Sequence, residues 1–70
     1  MVQTHQISNQ NFTTTEAAEF LGVKPGTLEV WRVQGRGPRF LKLGRAVRYP
    51  EAFLLEFMDK NIRASTSDAG

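Results

Sequence analysis

The sequence predicts a small α+β domain in the order helix, helix, strand, strand, helix. Three observations carry this. Residues 13–21 and 25–33 hold apolar side chains at helical spacing and are joined through Gly22. A glycine-punctuated stretch, 35–49, divides into two short runs around Gly44 in the manner of a β-hairpin. A third helical pattern begins at Pro50.

The first helix opens at Thr13-Thr14-Thr15-Glu16, where Thr13 as N-cap and Glu16 three residues on form a capping box, each side chain satisfying an orphaned backbone N–H. Ala17, Phe20 and Leu21 then fall on one stripe, expected to be buried, and the helix is expected over about 14–21. Gly22 suits a left-handed C-terminal position, from which Val23 folds back on the helix. Lys24-Pro25 starts the second helix, since proline is favoured at the first helical position, where its missing N–H costs nothing. Leu28 and Trp31 share the face that packs on the first helix, leaving Gly26, Glu29, Val30 and Val33 pointing away.

Gly35-Arg36-Gly37-Pro38 ends that helix and turns the chain into the hairpin. A two-residue loop, Gly44-Arg45, sets Lys42 opposite Val47 and Leu41 opposite Arg48, mixing polar and apolar partners on both faces. A three-residue loop, Gly44-Arg45-Ala46, pairs Leu43 with Val47, Leu41 with Tyr49 and Lys42 with Arg48. A one-residue slip moves every side chain across the sheet, so the second register is expected, with Leu41, Leu43, Val47 and Tyr49 inward and Arg45 at the tip. Lys42 opposite Arg48 sets like charges face to face, which a bound anion would relieve; the competing reading is an edge hairpin made cationic against edge pairing. Pro50-Glu51 starts the last helix, with Phe53, Leu54, Phe57 and Met58 as its core stripe, Ile62 as a candidate extension and Asp59, Lys60 and Asn61 as a frayed end.

All seven aromatics lie between Phe12 and Phe57, so 12–62 is the expected ordered domain, with a disordered arm over 1–11 and a disordered tail over 63–70. Seventy residues permit one domain, because a chain of this size buries only about 60% of its unfolded surface. No run is apolar enough to span a membrane, and the first residues lack a basic-then-apolar secretion pattern. The absence of cysteine removes disulfides, thiolate metal sites and cysteine nucleophiles together, and a reducing cytoplasm is the expected location.

The net charge of +2 conceals a segregation. Residues 24–48 hold seven cations (Lys24, Arg32, Arg36, Arg39, Lys42, Arg45, Arg48) against Glu29, a net +6, whereas the remainder holds two cations against six acids, a net −4. A cationic face on an acidic body is the footprint of polyanion binding; an ordinary solvated surface is the competing reading. Two short helices joined through Gly22-Val23-Lys24 form a helix-turn-helix, in which the second helix enters the major groove. A plain helical hairpin is the bland alternative, and the basic β-hairpin behind it argues for the first. Gly26 sits in the first turn of that helix at a propensity cost of about 1 kcal/mol, which close approach of a phosphate or base edge would explain. Val30 is placed to touch a thymine methyl; Val33 either does the same or packs on the hairpin.

Thr13-x-x-Glu16-Ala17-Ala18-x-x-Leu21-Gly22-Val23, Thr27-Leu28-x-x-Trp31-Arg32, Gly35-x-Gly37-Pro38-x-Phe40-x-Lys42-Leu43-Gly44-Arg45-x-Val47-Arg48-Tyr49 and the Phe53…Phe57 helix follow in order. With these residues the chain resembles the excisionase-like branch of the MerR-type winged helix-turn-helix domains, which includes prophage AlpA-type regulators. The resemblance implies double-stranded DNA binding, with the second helix in the major groove and the hairpin, the wing, on the adjacent backbone or minor groove. Members serve as recombination directionality factors, transcription regulators and DNA-recognition domains of phage packaging complexes. Lys24-Pro25-Gly26 departs from the family's usual capped and polar helix start, which shifts affinity towards the wing. The long dimerisation helix and effector domain of full MerR regulators are not expected after residue 62.

The expected function is sequence-selective DNA binding in an excisionase or small regulator of bacterial or phage origin, associated with the nucleoid. Arg36, Arg39, Lys42, Arg45 and Arg48 are the expected phosphate contacts. Lys24, Gly26, Thr27 and Val30 are the groove candidates, and Arg32 is a candidate either for the groove edge or for pairing with an acid of the body. A monomer in free solution is expected, with several copies on DNA and an integrase as possible company. The alternatives are a protein-interaction domain using the hairpin or the Val30/Val33 surface, and a packaging-complex module. No catalytic residue, metal ligand or cofactor is expected: His5 is the single histidine, in a polar stretch, and no phosphate-cradling loop joins a strand to a helix.

Overall fold

A computed structural model describes residues 10–62. Helix α1 spans Thr14–Leu21. Its capping box is formed as expected: the Thr13 N–H donates to Glu16 Oε1 at 2.9 Å, and the Glu16 N–H donates to Thr13 Oγ1 at 3.1 Å. Gly22 ends the helix at φ 77°, and the Val23 N–H returns to the Ala18 carbonyl at 2.9 Å. Helix α2, Pro25–Gln34, follows across this turn with proline at its start and no side-chain cap on its N-terminus. Gly35, at φ 74°, closes it.

The connection to the wing is shaped by one close approach. Gly37 has φ +84°, and a Cβ built on it would stand 2.9 Å from Trp31 Cε3, inside contact distance. Only glycine meets both demands. The indole also packs against Phe57, the ring centroids 5.6 Å apart, and Pro38 is buried at this bend.

The wing is β2, Leu41–Leu43, and β3, Ala46–Pro50, followed directly by helix α3, Glu51–Lys60. A further two-residue strand without a signal in the sequence, β1 (Asn11–Phe12), pairs antiparallel with the end of β3, so β3 is central in the order β1-β3-β2. The Gln10 carbonyl accepts the Glu51 N–H at 2.9 Å. Gln10 and Asn11, expected in the arm, thus make backbone contacts with the end of β3 and the start of α3. The rest of the expected arm, 1–9, and the tail, 63–70, lie outside the described residues.

The hairpin register differs from the expected one. Leu41 pairs with Arg48, Lys42 with Val47 and Leu43 with Ala46, around a two-residue loop, Gly44-Arg45. Gly44 takes φ +65°, the positive value that a two-residue hairpin turn needs at its first position. One step beyond the ladder, Phe40 meets Tyr49 with rings 5.9 Å apart, so Phe40, and not Leu41, is the apolar partner of Tyr49. The three-residue register had presumed that both leucines must be buried. The core ends before the wing tip: Leu43 is 54% exposed and Lys42 is exposed, so mixed pairing there incurs no burial penalty. Lys42 and Arg48, one position out of register, project from opposite faces of the hairpin and do not oppose each other.

Ala17, Ala18, Leu28, Tyr49 and Leu54 form the buried centre, with Phe12, Leu21, Val23, Trp31, Phe40 and Val47 packed around it. Two further expectations are corrected. Ala18 takes the buried place on α1 expected for Phe20, which remains partly exposed and packs edge-on against Phe12 at 5.3 Å. On α3, Leu54 is buried while Met58 is exposed, and Ile62, beyond the end of the helix, is exposed as well. The end expected to fray is helical through Lys60, and Asn61 Nδ2 donates to the Phe57 carbonyl at 2.7 Å.

Candidate nucleic-acid interface

The face of α2 opposite Leu28 is open. Gly26, Glu29, Val30, Val33 and Gln34 are exposed, with Val30 at 53% and Val33 at 87%. Thr27 is half-buried at its edge. Val33 thus does not pack on the wing, which removes one of its two expected roles. A Cβ added to Gly26 would meet nothing within 4 Å, so the protein interior does not require glycine there. A shallow depression of about 380 Å³ runs along the helix, lined by Gly26, Thr27, Val30, Trp31, Gln34 and Arg36, and a second of about 280 Å³ lies between Glu29, Val30, Val33 and Gln34.

Cations bracket this face. Lys24 is the exposed N-cap residue of α2, and Arg36 follows its C-cap, with Nη1 3.3 Å from Gln34 Oε1. On the wing, Lys42 and the loop residue Arg45 are exposed. Arg48 is half-buried on the face it shares with Leu41, and its Nη1 donates to the Val47 carbonyl at 2.8 Å. Among the described residues none of these five is in an ion pair.

Two predicted contact residues are engaged within the domain, Arg32 in its interior and Arg39 on its surface. The Arg32 guanidinium points into the body, donating to Tyr49 Oη at 2.9 Å and to Thr14 Oγ1 at 3.4 Å, and it lies 5.7 Å from the Phe40 ring. Its partners are hydroxyls rather than the acid expected as its alternative. Arg39 lies 4.1 Å over the Phe53 ring and pairs with Glu56 Oε1 at 2.7 Å, while Lys60 approaches the other carboxylate oxygen at 3.4 Å. The hydrogen bond from Arg39 holds the Glu56 carboxyl below its ordinary pKa, with Lys60 adding to the effect. Stacking on Phe53 further fixes the Arg39 side chain against α3.

The roles of Trp31 and Gly37 in holding the wing against α2 had no signal in the sequence beyond the Gly-x-Gly spacing of 35–37. The Arg32–Tyr49 bond had none, since its partners are 17 residues apart.

Two helices joined by a glycine turn, with the second exposing one face between cations and a basic hairpin behind it, form a winged helix-turn-helix. A family model described as a helix-turn-helix domain matches residues 12–62. The chain belongs to that family. A search of curated proteins finds no match. Membership makes double-stranded DNA the partner of this helix-turn-helix domain, and α2 is the second helix of the motif. The family is a DNA-binding one and not an enzymatic one. Among the described residues, no helix of the domain is long and apolar enough to cross a membrane.

Proposed function

We propose that this helix-turn-helix domain binds DNA sequence-selectively, as an excisionase or small transcription regulator of a prophage or mobile element, in the bacterial cytoplasm on the nucleoid. Helix α2 enters the major groove, and the wing lies on the adjacent backbone or minor groove. The observation that carries the reading is the exposed face of α2, bracketed by Lys24 and Arg36 and continued by Lys42 and Arg45, with no acid paired to any of the four among the described residues. Lys24, Arg36, Lys42, Arg45 and Arg48 meet phosphates; Gly26, Thr27 and Val30 meet the groove. Arg32 and Arg39 act through the fold, by fixing α2 and the wing. One module of this kind covers about 600–1,000 Å², too little for high selectivity alone, so several copies occupy adjacent sites, with an integrase as the companion in the excisionase role.

Titration against duplex DNA over a range of salt tests the proposal. Each phosphate neutralised contributes about −0.9 to the slope of log affinity against log salt, so four to five contacts give a slope of about −4. Lys42→Ala or Arg45→Ala each lowers the slope by about one and leaves the fold intact, whereas Arg39→Ala leaves it near its starting value. A salt-independent interaction, or none, would sink the proposal. A second reading, an interface for a protein, has the exposed Val33 and Leu43 in its favour; it predicts a partner whose binding is insensitive to salt.

A further inference from the structure

The most exposed apolar side chain on the second helix of a DNA-binding motif calls for an occupant. Val33, 87% exposed, and Val30, 53% exposed, are neighbours at i, i+3 on the outward face of α2. They border a depression of about 280 Å³, with Glu29 and Gln34 completing its rim. The fold uses neither valine: both lie outside the buried centre and the shell packed around it.

The same face lacks cations. The helix carries a single basic side chain, Arg32, and that guanidinium is directed inward to Tyr49 Oη at 2.9 Å. The commonest specific contact to DNA, a guanidinium or ammonium on guanine O6 and N7, is therefore not available from within α2. Glu29, as an acceptor, repels those same guanine acceptors. Cations stand instead at the two ends, Lys24 before and Arg36 after a ten-residue helix. Such a helix is about 15 Å long, comparable with the width of the major groove, about 12 Å, so its ends reach the phosphates of both walls while its middle faces the base edges. The one apolar group that base pairs present there is the thymine 5-methyl.

We infer that Val30 and Val33 read thymine methyl groups in the major groove, so that the sites this domain selects carry thymines where α2 docks. The inference rests on the DNA-binding reading above and deepens it: the valines supply selectivity, and the bracketing cations supply affinity.

The test uses the full chain. Bound sequences are selected from a pool of random duplexes, and the selected duplex is resynthesised with dU in place of dT, one position at a time. Removing a contacted methyl is expected to weaken binding about fourfold, at one or two positions only. In V30A and V33A, which change exposed positions and keep the fold, the corresponding dU substitution is expected to have no further effect. Binding that is indifferent to dU at every position overturns the inference and leaves DNA binding standing, as does a dU penalty that persists undiminished in both variants. Failure to bind any duplex at low salt removes the DNA-binding reading and this inference together.

Discussion

Arg32 Nη1 donates to Tyr49 Oη at 2.9 Å, joining the last turn of α2 to the central strand β3 across 17 residues of sequence. Tyr49 is 1% exposed and lies at the centre of the core, paired with Phe12 on β1 and with its ring 5.9 Å from that of Phe40 at a tilt of 49°. The bond ties the second helix of the motif to the sheet that carries the wing. It also explains why α2 presents no guanidinium outward.

Tyr49→Phe should therefore lower stability by about 1–2 kcal/mol, the range for a hydrogen bond with one charged partner that is only partly buried. Arg32→Ala should cost at least as much, since it leaves the buried phenol without its donor. Denaturant midpoints at unchanged m-value provide the measurement, and the salt slope of DNA binding by Arg32→Ala, measured under folded conditions, should stay near that of the parent.

Leu43 was expected in the core, so that Leu43→Ala would unfold the domain; the observed register reverses this. With the side chain 54% exposed at the wing tip, the substitution should change stability by less than about 1 kcal/mol. Leu54→Ala, at a fully buried position, should cost about 2–5 kcal/mol, which approaches the whole stability of a small domain. Thermal unfolding of the two variants side by side distinguishes the registers.

Two glycines should respond in opposite senses. Gly37→Ala forces a Cβ to 2.9 Å from Trp31 Cε3 at a positive φ, and the left-handed conformation alone costs an L-residue about 1–2 kcal/mol. Gly26→Ala meets open space inside a helix and should stabilise the protein by about 1 kcal/mol. If DNA approaches closely at Gly26, the same variant should bind duplex less tightly. A more stable protein that binds DNA more weakly is the expected signature; unchanged affinity would remove Gly26 from the interface.

Glu56 carries a pH dependence of known sign. Its pKa lies below the ordinary 4.5 in the folded protein, chiefly through the Arg39 hydrogen bond. A depressed folded pKa contributes stability above the unfolded pKa, lost as pH falls through the folded value. The stability difference between the parent and Glu56→Gln should thus be constant at neutral pH and disappear as pH drops below about 4.5. The pair is solvent-accessible, so added salt should shrink the same difference.

The sequence by itself determined the two helices, their turn and their starts and stops. Thr13 with Glu16, Gly22 with Val23, and Pro25 act on partners within about four residues, so their effect does not depend on the rest of the chain. It likewise determined the sign and location of the charge, and with them a DNA-binding domain. The tertiary structure decided the wing register and the employment of each arginine. Register turned on where the core stops, a property of Phe40, Tyr49 and the helices together, while local alternation in 41–49 allowed both registers. Which cations are engaged by the rest of the domain turned on partners 17 residues away, Tyr49 for Arg32 and Glu56 for Arg39. Contacts of that range exist only once the helices have packed on the sheet, and composition cannot distinguish an arginine that holds the fold from one free to meet a phosphate.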